Sequence, residues 1–246
     1  MNKLLLTVVA LALPLAAIAQ DAAKAAPAKN IANVYTIEPK PGEESQLEAA
    51  IAAHAKKYHK GDFAWHVATI LSGPGEGGYL VVEGATSWTA FDDRGDLGAE
   101  HTKDYVTTIL PHVAKSSPAS YYRHLQQLSV KGGDTSSKSV AMHFKVKPGC
   151  GGDLYDALKQ WKEIYAKLGM VVDVWQTAFS GGNEYVVVFG LKHGLKDFDE
   201  ESPNFRKAAN ELYGPRAYER LMQVEADTCS GIWQELLEFK KDLGSP

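Results

Sequence analysis

Apolar and polar positions follow two rhythms along this chain, and the whole pattern occurs twice. Segment 32–38 is rich in β-branched and aromatic residues, which predicts a strand, and Pro41-Gly42 ends it with a turn. From there the spacing lengthens. Leu47, Ile51, His54 and Tyr58 fall on one face of a helix. Two strands follow, 63–71 and 78–84, joined by a Gly-rich turn. A second helix begins near Leu97, and a strand at 120–125 closes the series. The series then repeats. Strand 140–147 ends at Pro148-Gly149, and the next helix is striped by Leu154, Leu158, Trp161, Tyr165 and Leu168. Strands 171–179 and 184–190 come next. Ser202 reads as an N-cap with Pro203 at the first helical position, and strand 231–236 is last.

The two series align residue by residue. An offset of 107 superposes Pro41-Gly42 on Pro148-Gly149, Leu47 on Leu154, Tyr58 on Tyr165 and Lys60 on Lys167. With small gaps, Trp65 falls on Trp175, Tyr79 on Tyr185, and Val82, Gly84, Phe91 and Asp92 on Val188, Gly190, Phe198 and Asp199. A colinear set of this length marks an internal repeat. Unit 1 spans 31–129 and unit 2 spans 139–246, with a polar linker at 130–138. Each unit is a β-α-β-β-α-β, the ferredoxin-like order, so the class is α+β. Leu80 and Val82 point away from Tyr79 and Val81, and the corresponding strand of unit 2 is also apolar on both faces. Helices cover one sheet face, so the other needs a partner, and two units satisfy each other by packing sheet to sheet as a barrel.

In that topology the end of a unit's first strand lies beside the start of its fourth. Cys150 and Cys229, the two cysteines of the chain, occupy those places in unit 2. A disulfide is the expectation, worth about 4.5 kcal/mol at most in the chain-entropy model.

The tandem order, the duplicated Pro-Gly turn and the doubly apolar strands resemble the dimeric α+β barrel superfamily over nearly the whole chain after residue 30. That resemblance implies a barrel completed within one chain, as a monomer or homodimer. It also implies company that includes cofactor-free antibiotic-biosynthesis-type monooxygenases, haem proteins of the chlorite dismutase and dye-decolourising peroxidase kind, and NIPSNAP-like proteins. No catalytic motif carries residue roles across.

The N-terminus reads as an export signal. A basic start at Lys3, an apolar run from Leu4 to Ile18 and the small-x-small Ala17-Ile18-Ala19 assign 1–19 as a signal peptide. Residues 20–30 read as a flexible tether, and the expected location is the periplasm or outside the cell. The net charge of −4, without a basic cluster, excludes a phosphate-neutralising nucleic-acid surface.

Chemistry is sparse in the pattern. Gly73-Pro-Gly-Glu-Gly-Gly78 matches a dinucleotide-loop string, but it joins two strands and Glu76 would repel a phosphate, so it reads as a hairpin turn. Ser180-Gly-Gly-Asn183 holds the same place in unit 2. Unit 2 serves as an internal control. Six of the eight histidines fall in unit 1. His54 stands where unit 2 has Trp161, Glu83 where it has Phe189, and Leu97, His101, Tyr105, Thr108 and His112 share a helical face where unit 2 has Phe205, Ala209 and Leu212.

Polar groups in a core need partners. The functional reading is a polar-lined cavity in unit 1 using His54, Tyr58, Glu83, His101 and Tyr105 for a small, apolar or aromatic ligand. In that cavity the Glu83 carboxylate would serve as a base or pair with His54. The structural alternative is hydrogen-bonded core and rim residues, with Glu83 at a wet strand end. His66 lies on a strand, and His143, aligned with Thr36, faces the barrel interior. No H-x-x-x-H, H-x-H or C-x-x-C spacing marks a metal site, so spacing predicts none, and a lone strand histidine leaves haem a weak option. The competing functions are a non-catalytic binding protein, an oxidoreductase of the cofactor-free or haem type, and an assembly protein.

Overall fold

A computed structural model describes residues 26–132, 136–179, 182–199 and 204–245. The expected signal peptide and the Ser202-Pro203 cap lie outside the described residues. Unit 1 runs β1 (Ile31–Pro39), α1 (Glu44–Tyr58), β2 (Trp65–Ser72), β3 (Tyr79–Thr86), α2 (Trp88–Arg94), α3 (Ala99–Asp104), β4 (Val113–Ser116) and β5 (Ser120–His124). Unit 2 runs β6 (Lys138–Val146), α4 (Gly151–Lys167), β7 (Val172–Phe179), β8 (Glu184–Leu191), α5 (Phe205–Tyr213), α6 (Ala217–Thr228) and β9 (Cys229–Phe239).

The strands close into an eight-stranded antiparallel barrel, β1-β3-β2-β9-β6-β8-β7-β5 and back to β1. Within each unit the first strand pairs with the third and the last, as the ferredoxin-like order requires. Between units the last strand of each pairs with the second strand of the other: β5 with β7, and β9 with β2. Short β4, which the sequence did not signal, lies against the end of β1, with Ile37 opposite Ser116.

Strand alternation sorts the core into three parts. Outward residues of β1–β3 (Ile37, Val67, Tyr79, Val81) bury Leu47, Ile51 and Ala55 of α1. The same face in unit 2 packs Leu154, Leu158, Trp161 and Ile164 of α4 and Leu221 of α6. The third part, Ala68, Ile70, Ala141, Val186 and Leu237, faces the barrel lumen. At about 25 cal/mol per Å² of buried apolar surface, these layers supply the main stabilisation.

The Gly73–Gly78 segment is the hairpin turn between β2 and β3. Gly73 is required there: its φ is +106°, and a Cβ would stand 2.5 Å from the Gln234 carbonyl oxygen of β9.

Four expectations change. The helix after residue 203 is capped by Asn204, whose side chain accepts from the Lys207 N–H at 2.8 Å. Trp65 and Trp175 are not equivalent. Trp65 pairs opposite Glu83 and packs beneath α1, whereas Trp175 lines the lumen; the residue opposite Phe189, and so equivalent to Trp65, is Val172. An odd slip along a strand exchanges faces, which is why the gapped alignment erred there. Glu83 is no wet strand end, being 3% exposed. Cys150 and Cys229 come close as the topology demands, with Val146 opposite Cys229, but both are free thiols here. The Cys150 sulfur contacts the Pro148 carbonyl and the Cys229 sulfur contacts Thr228 Oγ1.

Candidate metal centre

The polar positions of unit 1 converge between α1, α3 and the outer face of the sheet. His54 is one turn from the end of α1 and 1% exposed, at the place of core Trp161 in unit 2. His59 caps the same helix in an extended conformation. Its N–H still bonds the Ala55 carbonyl, while its ring turns under the helix to stack on Trp65 at 4.0 Å. His101 comes from α3. Helix α3 continues through a wide π-type turn, Tyr105–Ile109. The extra residue in that turn breaks the i, i+4 stripe, so His112 leaves the site and pairs with Glu43 at 3.0 Å.

The three rings meet through their Nε2 atoms. His101 Nε2 lies 3.2 Å from His54 Nε2 and 3.4 Å from His59 Nε2. One ligand atom from each ring falls within 4.8 Å of the others. The opposite edges of two rings are anchored by carboxylates. His54 Nδ1–H donates to Asp104 Oδ2 at 2.8 Å, and His59 Nδ1–H donates to Glu83 Oε1 at 2.9 Å. Those bonds fix the tautomers, leaving Nε2 of both rings as bare lone pairs aimed at His101. One proton on His101 Nε2 can serve one of the two neighbours. A cation serves all three. A tetrahedral ion about 2.05 Å from each nitrogen places its ligand atoms roughly 3.3 Å apart, which is the spacing of the two shorter contacts.

Electrostatics agree with neutral imidazoles. Burial pulls His54 below the ordinary histidine value, against the opposing bond to Asp104. Burial also lowers His59, against Glu83, and lowers His101, with repulsion from His54 adding to it. Burial would raise Glu83, but hydrogen bonds from His59 and from Arg94, the latter at 2.6 Å, outweigh it and hold the carboxyl below the usual range. Asp104 is held low by its bond to His54, and Lys57 stands 3.2 Å from its other oxygen. Carboxylate-supported imidazoles of this kind orient metal ligands and raise their basicity.

Beside the rings is a cavity of about 340 Å³, walled by His59, His101, Trp65, Tyr35, Tyr105 and Arg94. Ser87 starts α2 by accepting from the Ala90 N–H, and the helix places Arg94 in its last turn. There the guanidinium lies 4.2 Å from the Phe63 ring centroid. Burial raises both Tyr35 and Tyr105, so their phenols keep their protons and serve as donors.

Of the residues singled out from sequence, His54, Glu83, His101 and Tyr105 belong to this constellation. Glu83 bonds His59 rather than His54. Tyr58 packs on His54 and His101 but gives its hydroxyl to the Glu100 carbonyl and does not wall the cavity. His59, Arg94 and Asp104 were missed. The one available signal was His54 with His59 at i, i+5, a spacing that works because His59 has already left the helix.

A haem, which the resemblance implies, does not fit these rings. A porphyrin supplies four in-plane nitrogens and leaves two positions on opposite faces. Here three imidazole Nε2 atoms converge within 4.8 Å of one another, more than the single position on either face of a porphyrin takes. The matching volume of unit 2 is closed by Trp161 and Tyr165.

No family model matches this sequence, and no curated protein is significantly similar to it. Solved structures do share the fold. An anthrone oxidase-like protein matches with a TM-score of 0.61 and 12% identity, over 87% of this chain and 92% of that one. A candidate monooxygenase from Lactobacillus acidophilus NCFM matches at 0.54 and 10%, over 87% and 95%. A chlorite dismutase from Candidatus Nitrospira defluvii matches at 0.54 and 9%, over 87% and 92%. The chain therefore has the dimeric α+β barrel fold of these proteins.

Proposed function

We propose that unit 1 holds one divalent transition-metal ion on His54, His59 and His101 and uses it for oxidoreductase chemistry on a small, mainly aromatic molecule in the adjoining cavity. The observation that carries this is the convergence of three Nε2 atoms, two of them fixed as bare lone pairs by Glu83 and Asp104. Three protein ligands leave one position open, and His59 and His101 already form the cavity wall. Imidazole donors suit zinc, copper, iron and nickel. The names of the structural neighbours favour an oxidation–reduction role over simple storage of the ion. A bound ion supplies Lewis-acid or one-electron chemistry. The chain's own groups do the rest: Arg94, Tyr35 and Tyr105 direct hydrogens toward the oxygens of a bound molecule, and Trp65 and Leu97 provide apolar wall. The reaction belongs outside the cytoplasm if the export reading of 1–19 holds, which N-terminal sequencing of the protein from cell fractions will check.

The test is metal analysis of purified protein after anaerobic loading with Fe²⁺ and aerobic loading with Cu²⁺ and Zn²⁺. The expected result is one ion per chain, lost in His59→Ala and His101→Ala. Copper loading will give an electron paramagnetic resonance spectrum with coupling to several nitrogens. Oxygen uptake with anthrone as probe reports the chemistry. Failure to retain any of the three metals, or retention unaffected by both variants, overturns the proposal.

A further inference from the structure

The barrel lumen holds a second cavity, about 690 Å³ and open to solvent, on the sheet face opposite the imidazoles. All eight barrel strands contribute to its wall. That volume lies within the range of small-molecule sites, and a mainly apolar wall with a few convergent polar groups is their usual make-up. Leu80, Val186, Val188 and Leu237 give hydrocarbon, and Trp175 and Trp233 give aromatic faces.

One polar cluster interrupts this wall. His143 Nδ1–H donates to Glu184 Oε1 at 2.7 Å, and the Tyr122 hydroxyl donates to Glu184 Oε2 at 2.9 Å. The His143 ring stacks on Trp233, 4.8 Å between centroids and 7° between planes. Its Nε2 faces Glu235 Oε2 at 3.4 Å but makes no hydrogen bond. Strand pairing places Thr36 in unit 1 where His143 stands in unit 2: Thr36 is opposite Leu80, and His143 is opposite Val186. The barrel therefore closes without such a group at that position, and packing does not account for it.

Charge indicates what the lumen takes. Glu38, Asp173, Glu184 and Glu235 line it against Lys115, His66 and His143; Lys115 pairs with Glu38 and His124 with Asp173, so the carboxylate in excess belongs to the Glu184–Glu235 pair around His143. Among the described residues no donor approaches Glu235 as closely as His143 approaches Glu184. An anion entering this space meets unbalanced negative charge. A cation meets a carboxylate and aromatic faces, both attractive to it.

We propose that the barrel lumen is a binding site for a small organic cation bearing an aromatic ring, of the arylalkylamine class, with its ammonium on Glu235 and its ring on the tryptophan-lined wall. This does not rest on the metal centre, which lies on the other face of the sheet, with Tyr35 and Ser117 bordering both cavities.

Isothermal titration of the full chain with phenethylamine, 2-phenylethanol and 3-phenylpropionate tests it. The expected result is one amine per chain, bound at least tenfold more tightly than the carboxylate, with the alcohol between. Glu235→Gln will weaken the amine about tenfold, and Val188→Trp, which fills the lumen, will abolish binding. His59→Ala will leave amine binding unchanged, which separates this site from the metal centre. Circular dichroism will establish that each variant folds; if Val188→Trp does not, Leu80→Trp, on another lumen-lining strand, takes its place, with the same loss expected. No binding of the amine, a carboxylate that binds as well, or an affinity indifferent to Glu235→Gln overturns the proposal.

Discussion

Replacing His143 by Gln will remove a pH-dependent part of the stability. Burial pulls the imidazole down, but its hydrogen bond to Glu184 and the negative charge of Glu235, 3.4 Å from Nε2, prevail and raise it from 6.5 to about 9. At about 1.4 kcal/mol per pH unit, that rise corresponds to roughly 3 kcal/mol. The folded state holds the proton more tightly than the unfolded chain. The stabilisation is therefore complete below pH 6.5 and is lost as pH rises through about 9. Because the side chain is only 15% exposed, solvent screening trims this little. Urea unfolding at several pH values from 6 to 9.5, for the wild type and for His143→Gln, measures it. The gap between the proteins will be largest at pH 6, where the variant leaves two carboxylates without a counter-charge, and will close by about 3 kcal/mol toward pH 9.5. Curves that fall in parallel would refute the reasoning, because the imidazole would then titrate alike in both states.

Other outcomes follow from the same geometry. Glu83→Gln keeps the shape but weakens the anchor on His59, and will lower metal affinity about 10- to 100-fold in competition with a chelator. Burial pushes Glu225 up to about 7, so its folded form favours the proton and loses stability as pH rises from 4.5 through 7. Glu225→Gln will accordingly stabilise the protein by about 3 kcal/mol at pH 8 and change little at pH 4.5, by urea unfolding. Gly73→Ala will cost about 2 kcal/mol or more in the same assay, since it adds a clash with Gln234 to an unfavourable backbone angle. Ellman's reagent will count two thiols, with half-buried Cys150 reacting before buried Cys229; a single slow phase, or none, would restore the disulfide.

The barrel was legible because its signals are local and repeated. Pro41-Gly42 and Pro148-Gly149 mark the same turn twice, and strands apolar on both faces can only be buried on both. The comparison of units also exposed His54 and His101, since imidazole where the partner has Trp161 or hydrocarbon is a contrast within one chain. His59 was hidden for a physical reason. It is the first residue beyond α1, so its side-chain direction comes from a helix end rather than from periodicity. Arg94 and Asp104 look like ordinary surface charges on short helices, and only tertiary packing turns one toward Glu83 and the other toward His54. The π-type turn after Asp104 has no sequence signature, so the stripe through Thr108 and His112 was drawn one residue too straight.

The exchange of closing strands between the units sets what half of this chain could do. Cut at the linker, either half would be an open sheet with two bare edges, one on its second strand and one on its last. Those are the edges that here meet each other across the barrel, so each half carries a complement to itself. A homodimer of first halves would duplicate the imidazole triad; a homodimer of second halves would have none, and would duplicate the buried Glu225 instead. Fusion in one polypeptide yields the unequal pairing, in which one copy fills the space at Trp161 and Tyr165 with aromatic rings and its twin gathers three imidazoles there.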